Sequence, residues 1–207
     1  MRATQGFGRV LLFGLTFIAF GCSGGGGGGS SSGPTGGGSG DGTITVLLTD
    51  SPFTEATAVL VTFSEVQVHH TGAGWITLPF SGGATSRTCD LKKLTGATDL
   101  LGAGFATGGH YTMIRLVVSS ATLYNGGSAT VTAFACNATA TPLTPTGSPT
   151  AAPVDVPSGE IKLNREFDLA SGGTKNILLD FDGDKSIRER GNGTFFMQPV
   201  IAVVSVS

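Results

Sequence analysis

Three carboxylates at alternate positions, Asp180, Asp182 and Asp184, stand in the segment Asp180-Phe181-Asp182-Gly183-Asp184-Lys185-Ser186, with Ser186 at the next alternate step. Oxygen donors spaced in this way along a turning loop are what a hard cation such as calcium needs. The segment starts like an EF-hand loop and then departs from it. Lys185 holds the sixth place, where such a loop turns on glycine, Gly191 holds the twelfth, where a bidentate glutamate would close the shell, and Glu189 comes two residues early. Two readings follow. One is a weak calcium site of the extracellular kind, Kd about 10⁻⁴ to 10⁻³ M, with Asp180, Asp182 and Asp184 as metal ligands and calcium as the one cofactor. The other is a strand running out into an acidic turn, where Asp180 and Asp182 accept backbone amides and pair with Lys185 or Arg188.

The remaining reactive residues point away from catalysis. There is no GxSxG elbow, HExxH or Walker motif in residues 43–207, so the expectation is a protein that is not an enzyme and has no catalytic residues. His69 and His70 are adjacent; on a strand they point to opposite faces and cannot readily chelate one ion. Trp75 reads as core packing, because one tryptophan and two tyrosines are few for a sugar platform. Arg115 lies inside the apolar run Met113 to Val118, and so either faces solvent or pairs with an acid such as Asp180 or Asp182.

The first 42 residues place the chain. Arg2 and Arg9 precede an apolar run from Val10 to Phe20, and no acidic residue occurs before Asp41. That run is shorter than the roughly 20 residues a membrane span needs and has the layout of an export signal. Ala19-Phe20-Gly21-Cys22 resembles the lipobox of bacterial lipoproteins, departing from it at Ala19, where leucine is commonest, and at Phe20, where a small residue is usual. Residues 1–21 therefore read as a lipoprotein signal peptide and Cys22 as the lipidated residue. The alternative is an ordinary cleaved signal that leaves Cys22 a free thiol. Residues 22–42 form a glycine- and serine-rich tether, too poor in apolar side chains to fold. Ser23 rather than aspartate after the cysteine points to the outer membrane of the bacterial cell envelope. With Cys22 modified, Cys89 and Cys136 remain, and an even pair in an oxidising compartment suggests a disulfide; the competing reading is two unrelated buried thiols.

Removing 42 of 207 residues leaves 165 for one domain, 43–207, enough for a sizeable core. The 12 basic and 14 acidic residues, less Arg2 and Arg9, give a mature charge near −4 with no basic stripe, which argues against nucleic acid. Alternating apolar and polar residues predict strands at 43–49, 58–70, 75–78, 111–119, 121–124, 129–135, 160–169, 174–181 and 194–206. The phase slips at Ser64-Glu65, which suggests a bulge, and Asn125-Gly126-Gly127 reads as a hairpin turn. The one helical candidate, 91–101, is broken by Gly96. The fold expected is all-β, an antiparallel two-sheet β-sandwich, immunoglobulin-like or prealbumin-like, with little or no helix. The Pro- and Thr-rich segment 137–157 is expected as an excursion outside the sheets.

Five separated blocks support a family resemblance: GTITVLLTDSP from Gly42, GWITL from Gly74, DLLGAGFATGGHYTMIRLVV from Asp99, GEIKLN from Gly159, and LLDFDGDKSI from Leu178 with GNGTFFMQPVI from Gly191. Together they resemble the bacterial and archaeal lipoproteins of domain-of-unknown-function family 4382. The resemblance implies a β-sandwich ectodomain, commonly lipid-anchored, and carries over no activity or catalytic residues. The functional expectation is a membrane-anchored envelope lipoprotein acting as a non-catalytic binding or adhesion module. It would be held to the membrane by lipid on Cys22 and present its loops, 137–157 included, to an envelope protein or glycan. A structural envelope component without a discrete ligand is the alternative, and an unrecognised hydrolase a third.

Overall fold

Ile44, Val46 and Leu48 alternate with Thr43, Thr45, Leu47 and Thr49, and the two-residue period of an extended chain puts all three on one face, each fully buried. The same logic recurs along the chain. In the computed structural model, which describes residues 40–51, 56–130, 134–137, 143 and 145–207, it yields fourteen strands among the described residues. These are β1 (Asp41–Ser51), β2 (Ala58–His70), β3 (Gly74–Leu78), β4 (Arg87–Asp90), β5 (Asp99–Thr107), β6 (Gly109–Asn125) and β7 (Ser128–Thr130). After them come β8 (Pro145–Thr146), β9 (Thr150–Asp155), β10 (Glu160–Leu169), β11 (Thr174–Asp182), β12 (Ile187–Glu189), β13 (Phe195–Met197) and β14 (Ile201–Val206). The signal peptide, Cys22 and nearly all of the tether lie outside the described residues.

Two sheets pack face to face. One has the order β14-β11-β1-β5; the other runs β12-β13-β9-β6-β2-β3, with β10 also on β6 and β4 also on β2. Between them lies one apolar cluster, fed by Ile44, Val46 and Leu48, by Val61, Phe63, Val66 and Val68 of β2, by Ile114 and Leu116 of β6, and by Ile177, Leu179 and Phe181 of β11. The all-β sandwich is therefore the observed architecture.

Several details differ from the sequence reading. The sheets are mixed, because β1 pairs with β11 and β9 with β13 in parallel; alternation has the same period in both kinds of ladder, so it carries no direction. The helical candidate shrinks to one 3₁₀ turn, Leu91–Leu94, and its far end becomes β5. That strand was hidden by Gly102 and Gly104, residues with little strand propensity. Gly104 is needed there, since a Cβ on it would meet Pro79 Cδ at 2.6 Å. The bulge near Ser64 is present as register shifts on either side of Phe63. Asn125-Gly126-Gly127 turns, with both glycines at positive φ, but closes no hairpin: β6 continues onto β9, and β7 pairs with β8. The second half of 137–157 is built into the large sheet as β9, with Val154 buried. β13 reaches only Val154 and Asp155, so Pro153, which has no N–H to give, stands where β9 is open on one side.

Candidate functional site

The acidic segment sits at the end of β11. Asp182 caps the single helical turn Gly183–Ser186: its Oδ1 accepts from Lys185 N at 3.0 Å and its Oδ2 from Lys185 Nζ at 2.6 Å. Lys185 in turn holds the Asp182 carboxyl below its ordinary range. This is the acidic-turn arrangement. Among the described residues no group of three or more His, Cys, Asp or Glu is placed to hold a metal ion, so Asp180, Asp182 and Asp184 form no assembled calcium ligand set.

The unusual carboxylate here is one the sequence did not single out. Asp50, near the end of β1, is 4% exposed. Its Oδ1 accepts from Gly183 N at 3.0 Å, whereas its Oδ2 is buried without a partner. Burial pushes its carboxyl up to about 7, against the Gly183 hydrogen bond and with further upward push from Asp180, Asp182 and Asp184. A neutral carboxylic acid satisfies this corner better than a carboxylate.

Cys89 and Cys136 are joined in a disulfide across 47 residues and face each other in an isolated antiparallel bridge. Around them the segment 134–137 is laced to β4: Asp90 N donates to Ala135 O, Asn137 N to Thr88 O, and Thr88 N to Asn137 Oδ1 at 2.8 Å. Asp99 Oδ2 accepts from Cys136 N at 2.8 Å, and Asp99 Oδ1 lies 3.5 Å from the buried Arg87. Every one of these groups serves the fold.

The outer face of the large sheet is different. Residues opposite one another across neighbouring strands point the same way, and register builds rows there. Trp75, His69, Met113 and Asn164 form one row across β3, β2, β6 and β10; Thr77, Gln67, Arg115 and Lys162 form the next. Trp75 is only part-buried and belongs to this face rather than to the core. The Arg115 guanidinium lies 4.4 Å from its ring centroid, and His69 meets the ring edge-on at 5.1 Å. Arg115 pairs with neither Asp180 nor Asp182. Its Nε donates to Gln67 Oε1 at 2.6 Å, its Nη2 reaches the same oxygen, and its Nη1 donates to Glu160 at 3.4 Å. Gln67 Nε2 then donates to Glu65 Oε2 at 2.6 Å and to Thr77 Oγ1 at 2.9 Å. The second row is thus fixed by its own hydrogen bonds.

Beside the first row two irregularities coincide. β6 shifts register against β2 between His69 and His70 and against β10 between Asn164 and Phe167; Thr112 is the residue of β6 skipped in both. Paired bulges re-aim side chains. His69 Nδ1 and Thr112 Oγ1 share a hydrogen bond of 2.9 Å, while His70 goes the other way, its ring on Tyr111 and its Nδ1 accepting from Gly72 N and Ala73 N. Here lies a groove of about 440 Å³ lined by Thr112, Met113, Asn164, Arg165 and Glu166. Its volume falls in the range of small-ligand clefts, roughly 300–1,000 Å³. A signal for it exists in the sequence. Ile161, Leu163, Phe167 and Leu169 hold alternate, inward places, and Arg165 interrupts them at one. A cation at an apolar position needs a bulge to turn it outward.

Comparison with known proteins adds a family and nothing finer. The model of the family described as "Domain of unknown function (DUF4382)" matches residues 41–199. No curated protein and no solved structure matches this chain.

Proposed function

The chain belongs to the DUF4382 family, and on that premise we propose that it is a lipid-anchored lipoprotein of the bacterial cell envelope. It acts outside the cytoplasm as a non-catalytic binding module. Anchoring rests on the basic start, apolar run and Cys22, with the outer membrane as destination. The disulfide between Cys89 and Cys136 fits an oxidising compartment. The observation that carries the binding reading is the groove at the double bulge of β6. Asn164, Arg165 and Glu166 are exposed there, on an edge strand beside the row that Gln67 and Arg115 tie together. Polar side chains held at a bulge and without a hydrogen-bond or ion-pair partner among the described residues are what a ligand-contacting surface offers.

Two experiments test the two halves. Cells expressing the chain are fed labelled palmitate; label on the parent and none on Cys22→Ala supports the anchor, and equal label refutes it. A photo-crosslinking amino acid at Asn164, compared with one at Thr45 on the outer face of the small sheet, then probes the groove in intact cells. A discrete adduct at 164 and none at 45 supports the module. Silence at both positions overturns it.

A further inference from the structure

We infer that the groove takes a neutral, polyhydroxylated chain, a glycan, lying across the strands of the large sheet. This rests on the binding-module reading above and adds the class of ligand.

The charges argue for neutrality. Arg165 and Glu166 stand side by side in the bulge and line the same groove, and neither has an ion-pair or hydrogen-bond partner among the described residues. A polyanion drawn to Arg165 meets Glu166, and a polycation meets the reverse. Hydrogen-bonding capacity narrows the class further. Arg165 brings donors only, Glu166 acceptors only, and the Asn164 amide one side of each. Hydroxyl groups, which donate and accept, answer all three at once. Met113, in the floor beside them, offers an apolar surface for the C–H face of a sugar ring.

Geometry argues for a chain rather than a single small molecule. The row Asn164, Met113, His69, Trp75 crosses four strands, and three inter-strand steps amount to about 14 Å. The far end is rigid before any ligand arrives, because Trp75 is held by Arg115 and His69, and Arg115 by Gln67 and Glu160. An extended peptide would lie differently. Strand addition would run along the open edge of β10, parallel to the strands, whereas β6 is already laddered to β2 on one side and β10 on the other and leaves no backbone to pair along the row.

The test uses the purified full chain in detergent. It is titrated with neutral hexose oligosaccharides and their polymers and, separately, with heparin as a polyanion. Arg165→Ala, Glu166→Ala and Asn164→Ala are run beside the parent. Because these side chains are exposed and hold no hydrogen bond or ion pair among the described residues, their melting curves are expected to overlay the parent's. Saturable binding of a neutral oligosaccharide is expected, weakened about tenfold or more by Arg165→Ala and by Glu166→Ala, the loss of one charge-assisted hydrogen bond. Binding that none of the three variants weakens overturns the site. Binding of heparin alone overturns neutrality. If no sugar binds and the crosslinker at 164 captures an envelope protein, the glycan inference falls while the binding module stands. If no sugar binds and 164 captures nothing, both fall.

Discussion

Replacing Asp50 by asparagine should remove a specific pH dependence from the stability of this protein. The Asp50 carboxyl rises from 3.8 to about 7 in the folded chain. A raised acid binds its proton more tightly folded than unfolded, so its contribution runs in one direction. Below pH 3.8 both states are protonated and there is no cost; from there to about 7 stability falls as pH rises; above 7 the loss is complete. Three units at 1.36 kcal/mol each make the whole loss about 4 kcal/mol, of which about 2–3 kcal/mol falls between pH 5 and pH 8. In the Asp50→Asn variant the new amide oxygen would keep the bond from Gly183 N, and the side chain would never ionise beside Asp180, Asp182 and Asp184. Nearby Asp182 works with the opposite sign. Lys185 holds it below its ordinary range, so its contribution is present above the unfolded value of 3.8 and lost as pH falls through the folded one, outside the window. Urea melts of parent and Asp50→Asn at pH 5, 6, 7 and 8 give the difference between the two at each pH. That difference should shift in favour of the variant by about 2–3 kcal/mol across the series. A general cost of the asparagine cancels in this comparison. A constant difference from pH 5 to pH 8 would overturn this account, and with it the neutrality of Asp50 in the fold.

Other consequences are testable by melting alone. Cys89→Ala with Cys136→Ala frees a loop closed across 47 residues and should cost about 4 kcal/mol in the chain-entropy account, an effect that reductant reproduces on the parent only. Asp99→Ala strips the counterion from Arg87, which is 4% exposed, and should cost about 3–5 kcal/mol; Arg87→Met combined with it should recover part of that loss. Gly109→Ala should cost at least about 1–3 kcal/mol, because φ there is 149° and the new Cβ would lie 2.3 Å from His70 Nε2, on a ring pinned by Gly72 N and Ala73 N.

Much of the architecture is legible in the chain, and what is legible is local. Val59, Val61 and Phe63, then Val66 and Val68, alternate, slip and resume, and β2 follows them with its bulge at the slip. Ile161 to Leu169 marks β10 from end to end. Asp182 two residues before Asp184, with Lys185 next, reads as an acidic turn, and a capped turn forms. The site was less legible. Arg165 breaks an apolar alternation, but which strand it is turned away from depends on β6, about fifty residues earlier. Arg115 could be seen to need a partner, yet Gln67 and Glu160 become its partners only because β2 and β10 flank β6.

Residue order alone is enough for the all-β class, for the course of most strands, for the availability of the two later cysteines to each other, and for the family. These follow from side-chain period, turn chemistry and parity, which act within a few residues. Folding in three dimensions was needed to lay β1 and β11 parallel, to bury Asp50 against an acidic turn 133 residues away, and to bring Trp75, His69, Met113 and Asn164 into one row. Pairing direction and register are settled by non-local hydrogen bonds and by which faces must be dry, and an alternating pattern is the same whichever neighbour a strand acquires.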